Sequence, residues 1–257
     1  MKLFYLLLGL GLLSLSACAT MKPLPGSESA ARFEAPAGQG TSFDYLAYLP
    51  GKAAQHPRKK WPTILFLHGS GERGTNVWLV AKHGPPKIAK DKADFQFIVI
   101  SPQCPPRQKW EVASLTAFVQ EMKKKYPIDD NRLYLTGLSM GGAGTWKMLL
   151  AQPDLFAAAA PVCGRADPAA LTGLESASLQ TLKALPIWVF HGAKDPTVPL
   201  SESQTMVKAL KDIGANVKLT IYPEATHDSW TETYNNPEFY RWLLRQERKS
   251  AGQPTAK

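Results

Sequence analysis

A serine between two glycines is the strongest chemical signal in this sequence. Residues 137–141 read Gly-Leu-Ser-Met-Gly, after an apolar run at 132–136 and before a helical stretch that extends to about Ala151. A G-x-S-x-G sequence between a strand and a helix indicates a turn too sharp for larger flanking side chains, and it leaves the hydroxyl exposed. The N-terminus of the following helix also favours the negative charge that develops during nucleophilic attack. The exposed hydroxyl and this helix together make Ser139 the predicted nucleophile.

A serine hydroxyl needs a base to remove its proton, and the chain has five histidines. His227 follows the apolar run at 217–222, in a loop that would carry it from the last strand to the nucleophile. The other four fit less well, because two lie in loops with no strand to position them and two end strands before the candidate acid: His56, His83, His68 and His191. His227 is therefore the predicted general base.

An acid should orient that base. Asp195 follows the apolar run at 187–190 in His-Gly-Ala-Lys-Asp-Pro-Thr-Val-Pro, and it would accept a hydrogen bond from the second ring nitrogen of His227. Asp167 comes too early in the order serine, acid, histidine, and Asp228 adjoins the base and cannot easily bend back to it. Asp195 is the predicted acid.

Two backbone N–H groups should face the charge that develops on the substrate oxygen. The N–H of Met140 comes directly after the nucleophile, and the second donor is expected in the glycine-rich loop at 68–74, from Gly69 or Ser70. Glu72 in the same loop is a candidate for the substrate cleft, with a loop ion pair to Arg73 as the alternative.

The elements that must position these residues alternate along the chain. Apolar or alternating runs predict strands at 42–49, 63–67, 95–101, 132–136, 156–162, 187–190 and 217–222, and helices are expected at 115–126, after residue 139, at 201–213 and at 237–247. Strands buried on both faces and alternating with helices indicate a three-layer α/β fold with a mostly parallel central sheet. Only about two dozen residues separate Val162 from Ile187, which leaves no room for a large lid domain.

Five motifs in order carry a family resemblance: His-Gly-Ser-Gly-Glu-Arg-Gly, Gly-Leu-Ser-Met-Gly-Gly, Ala-Pro-Val-Cys-Gly, His-Gly-Ala-Lys-Asp and His-Asp-Ser-Trp. Over about residues 41–247 the chain resembles the α/β-hydrolases of the phospholipase/carboxylesterase and polyhydroxybutyrate-depolymerase-like branch, whose members often carry a peptidase label. The resemblance implies an α/β-hydrolase fold and hydrolysis of a carboxylic ester through an acyl-enzyme.

The absence of a lid predicts an open cleft. Trp110 and Trp230 are expected at its rim, with Trp78 as a further candidate, although all three could equally serve only to pack the surface. Such a cleft suits the acyl or aryl part of a bulky ester.

The N-terminus reads as an export signal. Lys2 precedes an apolar run too short to span a bilayer, and Leu-Ser-Ala-Cys at 15–18 resembles the lipobox of bacterial lipoproteins. We expect a signal peptide over 1–17, lipidation of Cys18, a flexible tether over 18–40, a catalytic domain over 41–248 and a flexible tail over 249–257. Ala19 after the cysteine favours the outer membrane, where the enzyme would face the periplasm or the cell exterior. The alternative is a plain secretory peptide.

The two remaining cysteines leave the redox state open. Cys104 and Cys163 could pair in an oxidising compartment or stay as free thiols, and the sequence leaves both open.

The charge and the missing motifs exclude several classes of function. The formal charge of +9 resides in short, solvated clusters without a nucleic-acid-binding motif, so no nucleic-acid partner is expected. Scattered histidines and the lack of a Walker loop predict no metal and no cofactor. A serine peptidase of the same fold and an inactive binding lipoprotein remain alternatives to an esterase.

Overall fold

The computed structural model describes residues 24–92 and 94–248, which leaves Cys18, the predicted signal peptide and the predicted tail outside the described residues. Eight strands form one sheet in the order β1-β2-β4-β3-β5-β6-β7-β8. They are β1 (Glu28–Phe33), β2 (Phe43–Tyr48), β3 (Trp61–Leu67), β4 (Ile98–Pro102), β5 (Ile128–Leu138), β6 (Ala158–Val162), β7 (Ile187–Gly192) and β8 (Val217–Tyr222). Strand β2 pairs antiparallel with both β1 and β4, and β3 to β8 all run parallel to one another.

In the described part of the chain, seven α-helices cover the two faces of this sheet. They are α1 (Gly84–Asp91), α2 (Val112–Lys125), α3 (Met140–Ala151), α4 (Ser176–Ala184), α5 (Leu200–Asp212), α6 (Trp230–Asn235) and α7 (Pro237–Leu244). Within β3, Leu65 and Leu67 belong to the core beneath α2 to α5, whereas Ile64 and Phe66 belong to the core beneath α1, α6 and α7. Because both faces of β3 are covered by helices, the strand is apolar on both faces. This arrangement confirms the predicted three-layer α/β fold. Between β6 and β7 the chain forms only a short turn and α4, so no large lid is present there.

Strand β1 lies inside the segment predicted as a flexible tether, so that prediction is wrong from Glu28 onward. The strand is an edge strand with exposed or half-buried positions except Phe33, and this composition gives no alternating apolar pattern. Phe33 nevertheless packs 5.1 Å from Phe43 and 5.3 Å from Phe118, measured between ring centroids. The folded domain therefore starts before the predicted boundary at residue 41.

The two described cysteines are free and buried. Cys104 follows β4 and Cys163 follows β6, and two strands lie between β4 and β6. Three interstrand spacings amount to roughly 14 Å, well beyond the Cα separation that a disulfide allows. The alternative of a disulfide between them is therefore wrong.

Candidate active site

Ser139 occupies a strained turn between β5 and α3. Its φ is +53° and its ψ is −113°, a conformation that is rare for a residue with a side chain. The flanking glycines are required because a Cβ on Gly137 would lie 2.4 Å from the carbonyl oxygen of Gly141, and a Cβ on Gly141 would lie 1.8 Å from that of Leu67. The turn thus packs directly against the end of β3 and holds the serine above the carboxyl edge of the sheet.

His227 and Asp195 reach this serine from the ends of two neighbouring strands. The Ser139 hydroxyl lies 2.9 Å from Nε2 of His227, and Nδ1 of His227 lies 2.7 Å from Oδ2 of Asp195. The loops after β7 and β8 carry the two side chains, and the parallel pairing of these strands brings both loops to the same edge of the sheet. The structure therefore brings together the three residues that the sequence singles out.

The environment of Asp195 keeps this carboxylate ionised. Burial alone would raise its pKa, but the hydrogen bond from His227 and those from the amides of Val198 and Thr197 outweigh burial and hold the pKa below its usual range. An ionised carboxylate at this position fixes the proton of His227 on Nδ1 and leaves Nε2 free to accept the proton of Ser139.

His191, one of the four histidines that fit the role of base less well, lies beside the acid. Its Nε2 lies 2.9 Å from the carbonyl oxygen of Val198 and 3.3 Å from Oδ2 of Asp195, and its Nδ1 lies 2.7 Å from the hydroxyl of Ser203. His191 ends β7 four residues before Asp195, and this position in the sequence could have indicated that its side chain contacts the acid.

His68 at the end of β3 is structural. Its Nε2 accepts a hydrogen bond from the N–H of Cys104 at 2.9 Å, and its Nδ1 lies 2.6 Å from the carbonyl oxygen of Gly69. Burial lowers its pKa to about 4, so the ring is neutral near pH 7. It braces the loop at 68–74 and is not placed to act as the base.

The candidate oxyanion donors lie at the starts of helical turns. Met140 is the first residue of α3, and Ser70 is the first residue of a 3₁₀ turn, Ser70–Glu72, that Gly69 precedes. The N–H groups at a helix start have no partner within the helix, so they remain available to an anion.

The predicted aromatic rim needs a correction at Trp110. This residue is only 4% exposed, its Nε1 donates a hydrogen bond to the carbonyl oxygen of His68, and its ring fills the space that Gly144 leaves without a side chain. Trp230, by contrast, is half-buried with its ring centroid 5.2 Å from that of His227. Trp78 is 54% exposed on a neighbouring turn, Val77–Lys82.

Glu72 is buried and does not pair with Arg73. The Arg73 guanidinium instead donates hydrogen bonds to the carbonyl oxygens of Ser70 and Gln108, so the alternative of a loop ion pair is wrong. The basic side chain nearest to Glu72 among residues 24–92 and 94–248 is that of His83, whose Nε2 lies 3.9 Å from the carboxylate.

Cys163 lies directly beneath the three central residues. It has a φ of +40°, and its thiol faces the hydroxyl of Ser229 and the backbone amide of Ser139. Cys163, Asp195 and His227 form the one cluster of metal-ligand types in the described part of the chain, with donor atoms within 4.8 Å of one another. Burial raises the thiol pKa to about 12, and Asp195 and His227 are already bonded to each other, so these donors suit proton transfer better than metal binding.

Comparison with known proteins agrees with this architecture. A family described as phospholipase/carboxylesterase matches residues 109–236, a range that contains Ser139, Asp195 and His227. The crystal structure of a thermostable esterase superposes with a TM-score of 0.70 at 35% identity, over 86% of this chain and 63% of that one. The chain has the α/β-hydrolase fold.

Two curated relatives extend the comparison. The chain is 26% identical to a bifunctional acetylxylan esterase/xylanase of Neocallimastix patriciarum over 182 residues, which cover 68% of the chain and 24% of that protein. It is 43% identical to poly(3-hydroxyalkanoate) depolymerase C of Paucimonas lemoignei over 58 residues, or 23% of the chain and 14% of that protein. The chain therefore spans less than a quarter of the length of either relative.

Proposed function

We propose that this α/β-hydrolase is a carboxylesterase in which Ser139 is the nucleophile, His227 the general base and Asp195 the orienting acid. The observation that carries the proposal is the continuous hydrogen-bond chain from Ser139 through His227 to Asp195, with lengths of 2.9 and 2.7 Å. The relatives support an ester substrate, because they include an esterase structure, an acetylxylan esterase and a polyester depolymerase.

Acylation begins when Nε2 of His227 takes the hydroxyl proton of Ser139 while Oγ attacks the carbonyl carbon of the ester. The resulting imidazolium is stabilised by ionised Asp195, to which it donates through Nδ1. The tetrahedral intermediate then expels the alkoxide, which receives the proton from Nε2, and the acyl group remains on Oγ. Water next attacks the acyl-enzyme with His227 again as base, which releases the acid and restores Ser139.

The oxyanion of both tetrahedral intermediates would be bound by the N–H groups of Met140 and Ser70. Of the two candidates in the loop at 68–74, we favour Ser70 because it begins a helical turn, as Met140 does, whereas Gly69 precedes that turn. Both donors are backbone groups on packed segments, so they need no reorganisation during the reaction.

The decisive test is hydrolysis of p-nitrophenyl acetate, butyrate and octanoate by the wild type and by Ser139→Ala. We expect the substitution to lower kcat by a factor of about 10³ or more. Ser27→Ala, at the opposite end of the sheet, is the matched control and should keep wild-type activity. Wild-type hydrolysis no faster than that of Ser139→Ala on every ester would reject the esterase and favour the peptidase or the binding lipoprotein.

We further propose that the protein is exported and anchored to the outer membrane by acyl chains on Cys18. The support is the apolar start and the Leu-Ser-Ala-Cys sequence at 15–18. Within residues 24–92 and 94–248, no helix is long and apolar enough to cross a bilayer. In cells fed a labelled fatty acid, the wild type should carry label and sediment with membranes, whereas Cys18→Ser should be unlabelled. Equal labelling of both would refute the anchor.

A further inference from the structure

A buried carboxylate without a hydrogen-bond donor lies next to the turn that carries the nucleophile. Glu72 is 6% exposed, and among residues 24–92 and 94–248 no N–H or O–H group donates to its carboxylate. Its Oε2 lies 3.3 Å from the place where a Cβ on Gly69 would stand, and that place is 3.7 Å from the carbonyl oxygen of Leu138, the residue before Ser139. The oxygens of this carboxylate are not among the side-chain atoms that are fully closed off from solvent without a partner, so a ligand can reach them and supply the donor that the described residues do not.

The surroundings of Glu72 place this site on the side of Ser139 where His227 lies. The ring centroid of Trp230 lies 5.7 Å from that of His83 and 5.2 Å from that of His227, so one aromatic side chain joins the Glu72–His83 pair to the proposed base. His227 must deliver its proton to the oxygen of the leaving alcohol. Groups that flank His227 therefore face the alcohol part of the ester.

The spacing within the pair specifies the chemical group that fits. Oε1 of Glu72 and Nε2 of His83 are 3.9 Å apart, which is too long for a direct hydrogen bond but allows one oxygen atom to contact both. Burial lowers the pKa of His83, so its ring is neutral near pH 7 and can donate one N–H. The carboxylate beside Nε2 favours the tautomer with the proton on that nitrogen. A hydroxyl can then donate to the carboxylate and accept from this N–H, whereas an ammonium group has no lone pair to accept it.

We propose that Glu72 and His83 bind a hydroxyl group on the alcohol part of the ester, so that the enzyme prefers monoesters of polyols to esters of simple alcohols. The inference rests on the proposed esterase function and names the substrate class for the same site.

The test compares two substrates that differ by one hydroxyl, ethyl butyrate and 2-hydroxyethyl butyrate, and the measured quantity is the ratio of their kcat/KM values. We expect the wild type to favour the hydroxylated ester about tenfold or more, the gain typical of a hydrogen bond to a charged group. Glu72→Leu should bring the ratio close to one, and Glu72→Gln, which keeps an acceptor and a similar shape, should retain part of the preference. His83→Phe should also lower the ratio.

Glu247→Gln is the matched control, because Glu247 is exposed beyond α7, near the start of β5 and away from the nucleophile. If Glu72→Leu and Glu72→Gln lower kcat/KM for both esters by the same factor, Glu72 only supports the loop and the proposal is overturned. A wild-type ratio of kcat/KM values near one also overturns the proposed hydroxyl preference. If both esters are nevertheless hydrolysed and this hydrolysis is lost in Ser139→Ala, the proposed esterase function stands. A wild type that cleaves neither ester refutes both proposals.

Discussion

Nε2 of His191 lies 3.3 Å from Oδ2 of Asp195, the same oxygen that His227 contacts at 2.7 Å. Because the nearby carbonyl oxygen of Val198 can only accept, Nε2 of His191 carries the proton, and Nδ1 accepts from the hydroxyl of Ser203. Two histidines thus converge on one carboxylate oxygen. The buried one cannot reach the substrate, so it acts on the chemistry through the position of Asp195.

This arrangement predicts that His191→Leu lowers kcat about tenfold with little change in KM, because it leaves Asp195 less firmly oriented toward His227. His191→Gln, whose amide nitrogen can occupy the place of Nε2, should recover part of the loss. The measurement is steady-state hydrolysis of p-nitrophenyl butyrate by the two variants, beside circular dichroism to confirm folding. Equal kcat values for the folded leucine variant and the wild type would remove His191 from the site.

A second prediction concerns stability and pH at His68. Its pKa is near 4 in the folded protein because of burial, below the ordinary value of 6.5, so the folded state favours the neutral ring. The resulting stability is fully present above pH 6.5 and is lost as the pH falls toward 4, because the unfolded chain takes up the proton first. Urea unfolding at pH 7 and pH 4 should show this loss, about 3 kcal/mol from His68, in the wild type.

The matched variant is His68→Gln, which keeps an acceptor for the N–H of Cys104 but does not titrate. It should be less stable than the wild type at pH 7, and the difference should shrink by pH 4. An unchanged difference between the two proteins at both pH values would contradict the assignment of this slope to His68.

The two tryptophans that the sequence placed at the rim, of which the structure buries Trp110, provide a third prediction. Trp110→Ala should destabilise the fold by about 3–5 kcal/mol, the usual cost of removing a buried large aromatic side chain. Trp230→Ala should cost less stability and should raise KM for p-nitrophenyl esters more than for ethyl acetate, because Trp230 is half-buried and its ring lies 5.2 Å from that of His227. Thermal unfolding and kinetics on the same two proteins check both statements, and equal effects of Trp230→Ala on the two ester types would count against an aryl-binding rim.

A fourth prediction follows from the buried thiols. Burial raises the pKa of Cys104 to about 11 and that of Cys163 to about 12, so neither is a thiolate at pH 8. In a Cys18→Ser protein, Ellman's reagent should modify neither cysteine in the native state and both in guanidinium chloride. Rapid modification of the native protein, or a single thiol after unfolding, would show that the two thiols are not buried and free.

Local motifs made most of the candidate site predictable. Ser139, Asp195 and His227 each follow a recognisable apolar strand, and parallel strands deliver their ends to one edge, so the three positions could be placed together without knowing the sheet order. Their spatial arrangement agrees with that expectation, and their catalytic roles stay predictions. The three-layer fold and the phospholipase/carboxylesterase resemblance are confirmed.

The features that sequence reasoning missed depend on contacts between distant segments. Trp110 follows a polar loop, as many surface residues do. It is nevertheless buried, because Gly144 in α3 has no side chain and leaves space for its ring. His191 looks like a spare histidine until the turn after β7 brings it back to Asp195. Strand β1 owes its place to backbone pairing with β2 and to one phenylalanine, which no pattern within Glu28–Phe33 reveals.

The direction of β1 also determines how the molecule would stand on a surface. Glu28 pairs with Tyr48 near the amino-terminal end of β4, so the chain enters the sheet at the end opposite to Ser139. A body held to a membrane through residues before Glu28 rests on that lower end and opens its cleft toward the surrounding medium. On the proposed anchoring, its substrates would then reach Ser139 from the periplasm or the cell exterior and not from the bilayer below.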